Sequence, residues 1–339
     1  MNNLIFIGTI KKVANCGESM KNHFFIDRFN EVYDKVIAFD TWGVKHQPWR
    51  LLYLLYILFR YPKTKIVVSA STYIAYDVIK FLNFFGKKNI YYWVIGGVFP
   101  QLAKKNNYKL DYYRKLKGIF VESPRMVETL KNMDINNAKY VPNFKRINYR
   151  PSIEKKKSEI IKFVFLSRIH PDKGCPLIIN SVKQLNKKGY KYGFVVDFYG
   201  PIDPEYNEFL DSIKGVDNIN YRGFLKLDKK GYDRLAEYDM MLFPTFWNGE
   251  GFPGIVVDAF TAGLPILASD WNFNTELVDE NTGIIIPHSN QEALTNAMLN
   301  ILQGNVDLAG LSKNCYNKAM DFDDRNVLSE GKLKALGVL

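Results

Sequence analysis

Phe243-Pro-Thr-Phe-Trp-Asn-Gly-Glu-Gly-Phe-Pro-Gly-Ile-Val-Val-Asp-Ala-Phe260, running on through Thr261-Ala-Gly-Leu-Pro-Ile-Leu-Ala-Ser-Asp270, is the stretch whose reading decides the fold. Met240 to Phe243 are apolar and read as a strand. Gly249, Gly251 and Gly254 then permit an unusual backbone, and Pro253 suits a first helical turn. A helix is therefore expected from beside Pro253 to near Gly263, with a turn and a further strand beyond it.

A helix start offers unpaired backbone N–H groups and the positive end of its dipole, and glycines let a bulky anion come close. The loop is thus a seat for a phosphate or diphosphate, built on Gly251, Phe252, Pro253, Gly254 and Ile255. Two carboxylates frame it, Glu250 and Asp258, with seven residues between them. Negative charge is misplaced beside a phosphate, so these acids read as acceptors for hydroxyl groups of the same ligand. A ligand carrying both a diphosphate and many hydroxyls is a nucleotide sugar.

The pair Glu250 and Asp258, with Glu-Gly-Phe-Pro, Ala-Phe-x-Ala-Gly-Leu-Pro and the run from Glu276 to Pro287, resembles the E-x7-E signature of retaining glycosyltransferases of family four. The resemblance implies an α/β chain of GT-B architecture, two Rossmann-like parallel-sheet domains facing across a cleft. Asp258 departs from the family pattern, which usually has Glu there, and is one methylene shorter. A nucleotide-sugar epimerase of the same fold is the rival reading.

Upstream, Ile161 to Ser167 is an apolar strand followed by Arg168-Ile-His-Pro-Asp-Lys-Gly174. Arg168 offers a planar donor fork and Lys173 a compact charge, and across a turn both can reach one diphosphate. The segment also resembles the family's donor-phosphate motif, with Ser167 in place of its glycine. Arg168, Lys173 and Glu250 are the expected catalytic residues, the cations neutralising the departing nucleoside diphosphate and Glu250 orienting the sugar. Asp258 is expected to orient the ribose. By resemblance, the strand ends at Tyr199, Gly200 and Phe224 lie near the nucleobase. His170 reads as a loop residue, and neither a metal nor any other cofactor is expected.

In the first half, Leu4–Ile7, Val36–Phe39, Ile66–Ala70, Ile90–Ile95 and Gly118–Val121 read as buried strands alternating with helices, the pattern of a parallel sheet with ligands at its carboxyl edge. The resemblance places a glycine-rich loop after the first strand, here Cys16-Gly17, and carries over Gly17 as a donor contact. Lys21, Asn22 and His23 either contact acceptor or phosphate or lie on a helix surface. Gly96 and Gly97, further candidate acceptor contacts, stand where many family members have a sugar-binding histidine. The expected organisation is an acceptor domain over 1–148, a linker over 149–159, a donor domain over 160–320 and a helix over 321–339 crossing back to the first domain.

The chain has 339 residues, 47% of them hydrophobic, enough for two cores. Three widely spaced cysteines and an apolar start too short for a secretory signal point to a reduced, cytoplasmic setting. The net charge of +11 is uneven: residues 1–150 hold 25 Lys and Arg against 10 Asp and Glu, a net of +15, and the rest hold 21 against 25, a net of −4. A basic half suits nucleic acid, an anionic membrane or an acidic substrate. No nucleic-acid-binding, zinc, Walker or Ser-His-Asp motif is recognisable, so nucleic acid is disfavoured. Trp49 to Tyr61 holds nine consecutive apolar residues, too few for a bilayer span of ~20. It reads either as a fully buried helix or as an interfacial helix flanked by Lys45, Arg50, Arg60, Lys63 and Lys65; its lack of a polar face favours burial.

The expected partners are a nucleotide sugar, with uridine diphosphate the first choice of carrier, and a glycan or polyprenyl-diphosphate-linked glycan acceptor. The expected place is the inner face of the plasma membrane, in the assembly of capsule, O-antigen or exopolysaccharide.

Overall fold

A computed structural model describes residues 2–11, 17–44, 46–151 and 160–339. Cys16, Lys45 and most of the expected linker, residues 152–159, lie outside the described residues. The chain divides into two compact units, Met1–Arg146 with Phe322–Leu339, and Ile147–Asp321.

The first unit holds a six-stranded sheet of β1 (Asn3–Gly8), β2 (Lys35–Asp40), β3 (Lys65–Ser71), β4 (Ile90–Ile95), β5 (Gly118–Val121) and β6 (Ala138–Tyr140). Its order is β2-β1-β3-β4-β5-β6 and every pairing is parallel. Leu4–Ile7 and Ile66–Val68 are almost completely buried, which is why they read as unbroken apolar runs rather than alternating ones. The core is aromatic: Phe25 packs edge-on to Trp93 and Phe144, with ring centroids 4.6 and 4.8 Å apart, and Trp93 lies 4.6 Å from Phe120. Val327, Leu328, Leu333 and Val338 of the C-terminal segment belong to this same core. That segment is two short helices, Asp324–Val327 and Glu330–Leu336, rather than one. Arg146 clamps it with a bidentate pair to the fully buried Asp324, Nε to Oδ1 at 2.7 Å and Nη2 to Oδ2 at 2.6 Å.

The second unit repeats the plan with β7 (Ile161–Leu166), β8 (Phe194–Tyr199), β9 (Ile219–Tyr221), β10 (Met240–Phe243), β11 (Ile266–Ser269) and β12 (Gly283–Ile286). The order is β12-β11-β10-β7-β8-β9, again all parallel. Successive strands step one way from β7 to β9 and the other way from β10 to β12. The order reverses between β7 and β10, and loops leaving those two strands flank a crevice at the carboxyl edge.

The helix Arg50–Arg60 is not the fully buried element that one of the two readings of Trp49 to Tyr61 expected. Leu54, Ile57 and Leu58 are buried, but Leu52 is 68% and Phe59 73% exposed, and Tyr53 and Tyr56 are exposed beside them. The sequence lacks a polar face because both faces of this helix are apolar, one packed on the unit and one open. No helix among the described residues is long and apolar enough to cross a membrane.

Candidate functional site

The loops after β7 and β10 are joined along their backbones. Phe246 N donates to the Asp172 carbonyl at 2.8 Å, and Thr245 Oγ1 reaches the same oxygen at 3.4 Å. Gly174, at φ +82°, is where they touch: a Cβ there would meet the Pro244 carbonyl oxygen at 2.4 Å. Only glycine satisfies both the left-handed backbone and that approach. The seam brings Lys173 against Glu250, whose Oε2 accepts from Lys173 Nζ and, at 3.0 Å, from Thr245 Oγ1. Both partners are nearly buried.

Trp247 completes the group. The Lys173 ammonium stands 5.8 Å from its ring centroid and the Arg168 guanidinium 5.4 Å, so two cations contact one indole ring. His170 meets the same indole edge-on at 4.8 Å. The Trp247 carbonyl accepts from Trp271 Nε1 at 2.8 Å, and the Glu250 carbonyl accepts from Asn272 Nδ2 at 3.0 Å, fixing the loop from its far side. Arg168 remains 50% exposed, its Nη1 donating to Asp203 Oδ2 at 3.2 Å. Asp203 is held below the usual carboxylate range chiefly by the Glu205 N–H, with Arg168 adding to it. The site can therefore present two cations and one carboxylate to a ligand in the crevice.

The helix Gly254–Thr261 begins as the sequence suggests, one residue after Pro253, which supplies no side-chain cap to its first turn. Its Asp258 is buried. The carboxylate is 2% exposed and accepts from the Tyr232 hydroxyl at 2.8 Å. Burial, then the Asp258 charge, pushes the Tyr232 phenol well above its ordinary value. Tyr232 in turn stacks on Tyr149, with centroids 5.2 Å apart.

Tyr199 is buried: its hydroxyl lies 3.1 Å from that of Tyr238 and accepts from Arg234 Nε at 3.3 Å. Gly200, at φ +139°, allows the Ser167 carbonyl to pass where a Cβ would lie 1.8 Å from it. Phe224 does not end a strand as expected: it lies three residues beyond the end of β9 at Tyr221 and is largely exposed. The described residues include one grouping with metal-ligand potential, His170, Asp203 and Glu205, whose donor atoms lie within 4.8 Å of one another. Its groups are engaged: His170 Nδ1 accepts from Asp172 N at 3.0 Å, and Arg168 occupies Asp203.

In the first unit, Gly17 opens the helix Gly17–Val32. Lys21 is buried in an ion pair with Glu122, and its ammonium lies 5.3 Å from the Phe144 ring centroid. Asn22 donates to the Thr9 and Ser69 carbonyls, each at 3.0 Å, and accepts from Ser69 Oγ at 2.7 Å, tying the ends of β1 and β3 together. Neither residue lies on the helix surface, and His23 is only half-buried, with Nε2 among the unpartnered buried atoms. Gly96, at φ +88°, and Gly97 turn the chain out of β4. The structure thus unites Arg168, Lys173 and Glu250 and leaves Asp258 and Tyr199 buried. Trp247, Thr245, Trp271 and Tyr232 were not anticipated. Trp247 stood inside the quoted loop, where an aromatic followed by Asn248 and Gly249 was the available signal.

Residues 161–304 match the family model described as glycosyl transferases group 1. The chain is 24% identical over 154 residues to the amylovoran biosynthesis glycosyltransferase AmsK of Erwinia amylovora, covering 44% of this chain and 37% of that protein. It is 24% identical over 216 residues to the UDP-Gal:alpha-D-GlcNAc-diphosphoundecaprenol alpha-1,3-galactosyltransferase of Escherichia coli, covering 61% of this chain and 52% of that protein. The chain thus matches about half or less of the length of these curated relatives. Among solved structures, Anabaena Alr3699/HepE in complex with UDP superposes with a TM-score of 0.76 at 15% identity, over 99% of this chain and 100% of that one. At that identity the likeness shows the fold, and the expected α/β class with two Rossmann-like sheets stands.

Proposed function

We propose that this chain is a retaining glycosyltransferase that moves a sugar from a nucleoside-diphosphate sugar, with UDP as the carrier, to a lipid-linked glycan in the assembly of a surface polysaccharide. The observation that carries this is the grouping of Arg168, Lys173 and Glu250 around Trp247, at the point where the order of the second sheet reverses. The family match over 161–304 spans all four residues. The similar Escherichia coli enzyme takes a UDP-sugar and a diphosphoundecaprenol-linked acceptor, and the similar Anabaena structure holds UDP.

In this mechanism the bond from the anomeric carbon to the diphosphate oxygen breaks, and the electron pair leaves with the nucleoside diphosphate. Arg168 and Lys173 neutralise the charge that develops there, aided by the loop amides from Gly251 to Ile255. Binding of the diphosphate draws Lys173 from Glu250 and frees that carboxylate to accept from hydroxyls of the donor sugar. The acceptor hydroxyl attacks from the face the diphosphate leaves, so configuration is retained, and its proton passes to the departing phosphate oxygen. Asp258 reaches the ribose by sharing the hydrogen bond it now receives from Tyr232. The two cations take the role a metal would fill, so no cofactor enters the scheme.

The exposed face of the helix Arg50–Arg60 and the +15 charge of residues 1–150 support an anionic membrane surface, at the cytoplasmic side, as the place where the acceptor is met. The test is transfer from labelled UDP-sugars to a lipid-linked saccharide, with the anomeric configuration of the product assigned by NMR. Wild-type protein is expected to give a retained linkage and Glu250→Ala almost no product. Equal turnover by the two proteins would remove Glu250 from the mechanism, and an inverted product would remove retention.

A further inference from the structure

A cavity of about 560 Å³ opens in the first unit between the helices Arg50–Arg60 and Thr72–Phe84. It lies at the carboxyl edge of the sheet: Thr9 follows β1, and Trp42 follows β2. Phe39, Leu54, Ile74 and Val78 supply its walls. The volume is within the roughly 300–1,000 Å³ usual for small-molecule sites. The chemistry of the lining is hydrocarbon. Thr9 and Thr41 pair their hydroxyls at 3.2 Å, Thr9 also bonds Glu18, and the ionisable groups among the described lining residues are the exposed His46 and Asp77. No Lys or Arg stands among the described lining residues.

We propose that this cavity seats the isoprenoid chain of the acceptor. The assignment rests on the lipid-linked acceptor of the proposed function and adds where its chain goes. One helix makes the connection. Leu51 and Leu54 of Arg50–Arg60 line the cavity, while Leu52, Tyr53, Tyr56 and Phe59 of the same helix are exposed. Phe84, at the end of the neighbouring helix, is exposed as well, and Phe85 bridges toward Phe59 with ring centroids 6.4 Å apart. On this reading an apolar chain leaving a bilayer under these side chains enters the cavity along the helix Arg50–Arg60. The carboxyl edge of the sheet, where a head group is expected, is then at the chain's inner end.

The probe is farnesyl diphosphate, titrated by calorimetry into the full chain without detergent, with inorganic diphosphate as the head-group control. Saturable binding of farnesyl diphosphate is expected, with inorganic diphosphate failing to compete. Val78→Trp, which fills the cavity from a half-buried position, should weaken binding at least tenfold. The rise in melting temperature given by UDP, which depends on the other unit, should be kept in that variant. To guard against misfolding of the variant, a diazirine-bearing farnesyl diphosphate is photolysed with wild-type protein, and the label should fall on peptides carrying Trp42, Ile74 or Val78. Equal affinity in Val78→Trp, full competition by inorganic diphosphate, or label placed elsewhere would each overturn the proposal. Protection of the same peptides by phosphatidylglycerol vesicles, as strong as by farnesyl diphosphate, would assign the cavity to a bilayer acyl chain and overturn it too. Failure of UDP to stabilise a protein that still binds farnesyl diphosphate would break the donor reading alone.

Discussion

Each unit holds a nearly buried lysine–glutamate pair at the carboxyl edge of its sheet, Lys21 with Glu122 and Lys173 with Glu250. The first joins two rigid elements: Lys21 sits inside the helix Gly17–Val32, Glu122 directly follows β5, and the Phe25 and Phe144 rings close over the ammonium. The second joins two loops, with the half-exposed Arg168 beside it across Trp247. Similar charges at similar depth therefore have different freedom to separate. A pair sealed between rigid elements holds the fold, whereas a pair between loops at a crevice can exchange its partner for a ligand.

The largest expected effect tests the first half of that contrast. Lys21→Ala leaves the Glu122 carboxylate buried without its counter-charge and should cost about 3–5 kcal/mol of unfolding free energy in urea titrations. The double change Lys21→Met with Glu122→Leu should recover most of the loss, since burying neither charge avoids the desolvation cost. A loss as small as that of an exposed lysine would show this pair to be loose as well.

Next comes the second pair. Lys173→Ala and Arg168→Ala should each lower kcat about 10²–10³-fold, the scale for removing one group that stabilises charge developing in a transition state. Both should unfold at urea concentrations closer to wild type than Lys21→Ala does. A stability loss matching that of Lys21→Ala, with turnover retained, would erase the distinction between the two pairs.

A smaller effect is expected at Tyr232→Phe, which removes the hydroxyl from the buried Asp258 carboxylate. The loss should be about 1.5–3 kcal/mol, the range for a hydrogen bond to a charged group, and UDP affinity should fall with it. Unchanged stability would mean that Asp258 is already turned toward the crevice. The smallest effect concerns the floor of the second site. Burial pushes the Cys175 thiol up to about 12. The thiolate is thus scarce at pH 8, and iodoacetamide should leave the Cys175 peptide unmodified by mass spectrometry until the unit unfolds. Rapid native-state labelling would show that the seam around Gly174 opens.

How much of this was legible in the sequence follows from burial. β4, β5 and β10 match their expected limits because central parallel strands are apolar on both faces, so the run and the strand coincide. β6, Ala138-Lys-Tyr140, escaped notice because it is a three-residue edge strand with both Lys139 and Tyr140 exposed. Arg50–Arg60 was legible as a helix but not in its exposure, since apolar content records what a face is made of and not what covers it. In the site, charge and spacing marked Arg168, Lys173 and Glu250. Asp258 is bound by Tyr232, 26 residues earlier on another helix, and no local pattern carries a contact of that kind. Trp247 belongs with it: a lone aromatic in a glycine loop has no periodicity to show which charges it will meet.

The central claim, that the Lys173–Glu250 pair opens to take the diphosphate of a donor, is tested most directly by calorimetric titration of UDP into wild-type protein, Lys173→Ala and Lys21→Ala. Wild type and any folded Lys21→Ala protein are expected to bind UDP alike, and Lys173→Ala at least tenfold more weakly, a difference of about 1.4 kcal/mol or more. Equal UDP affinity in wild type and Lys173→Ala would contradict the account.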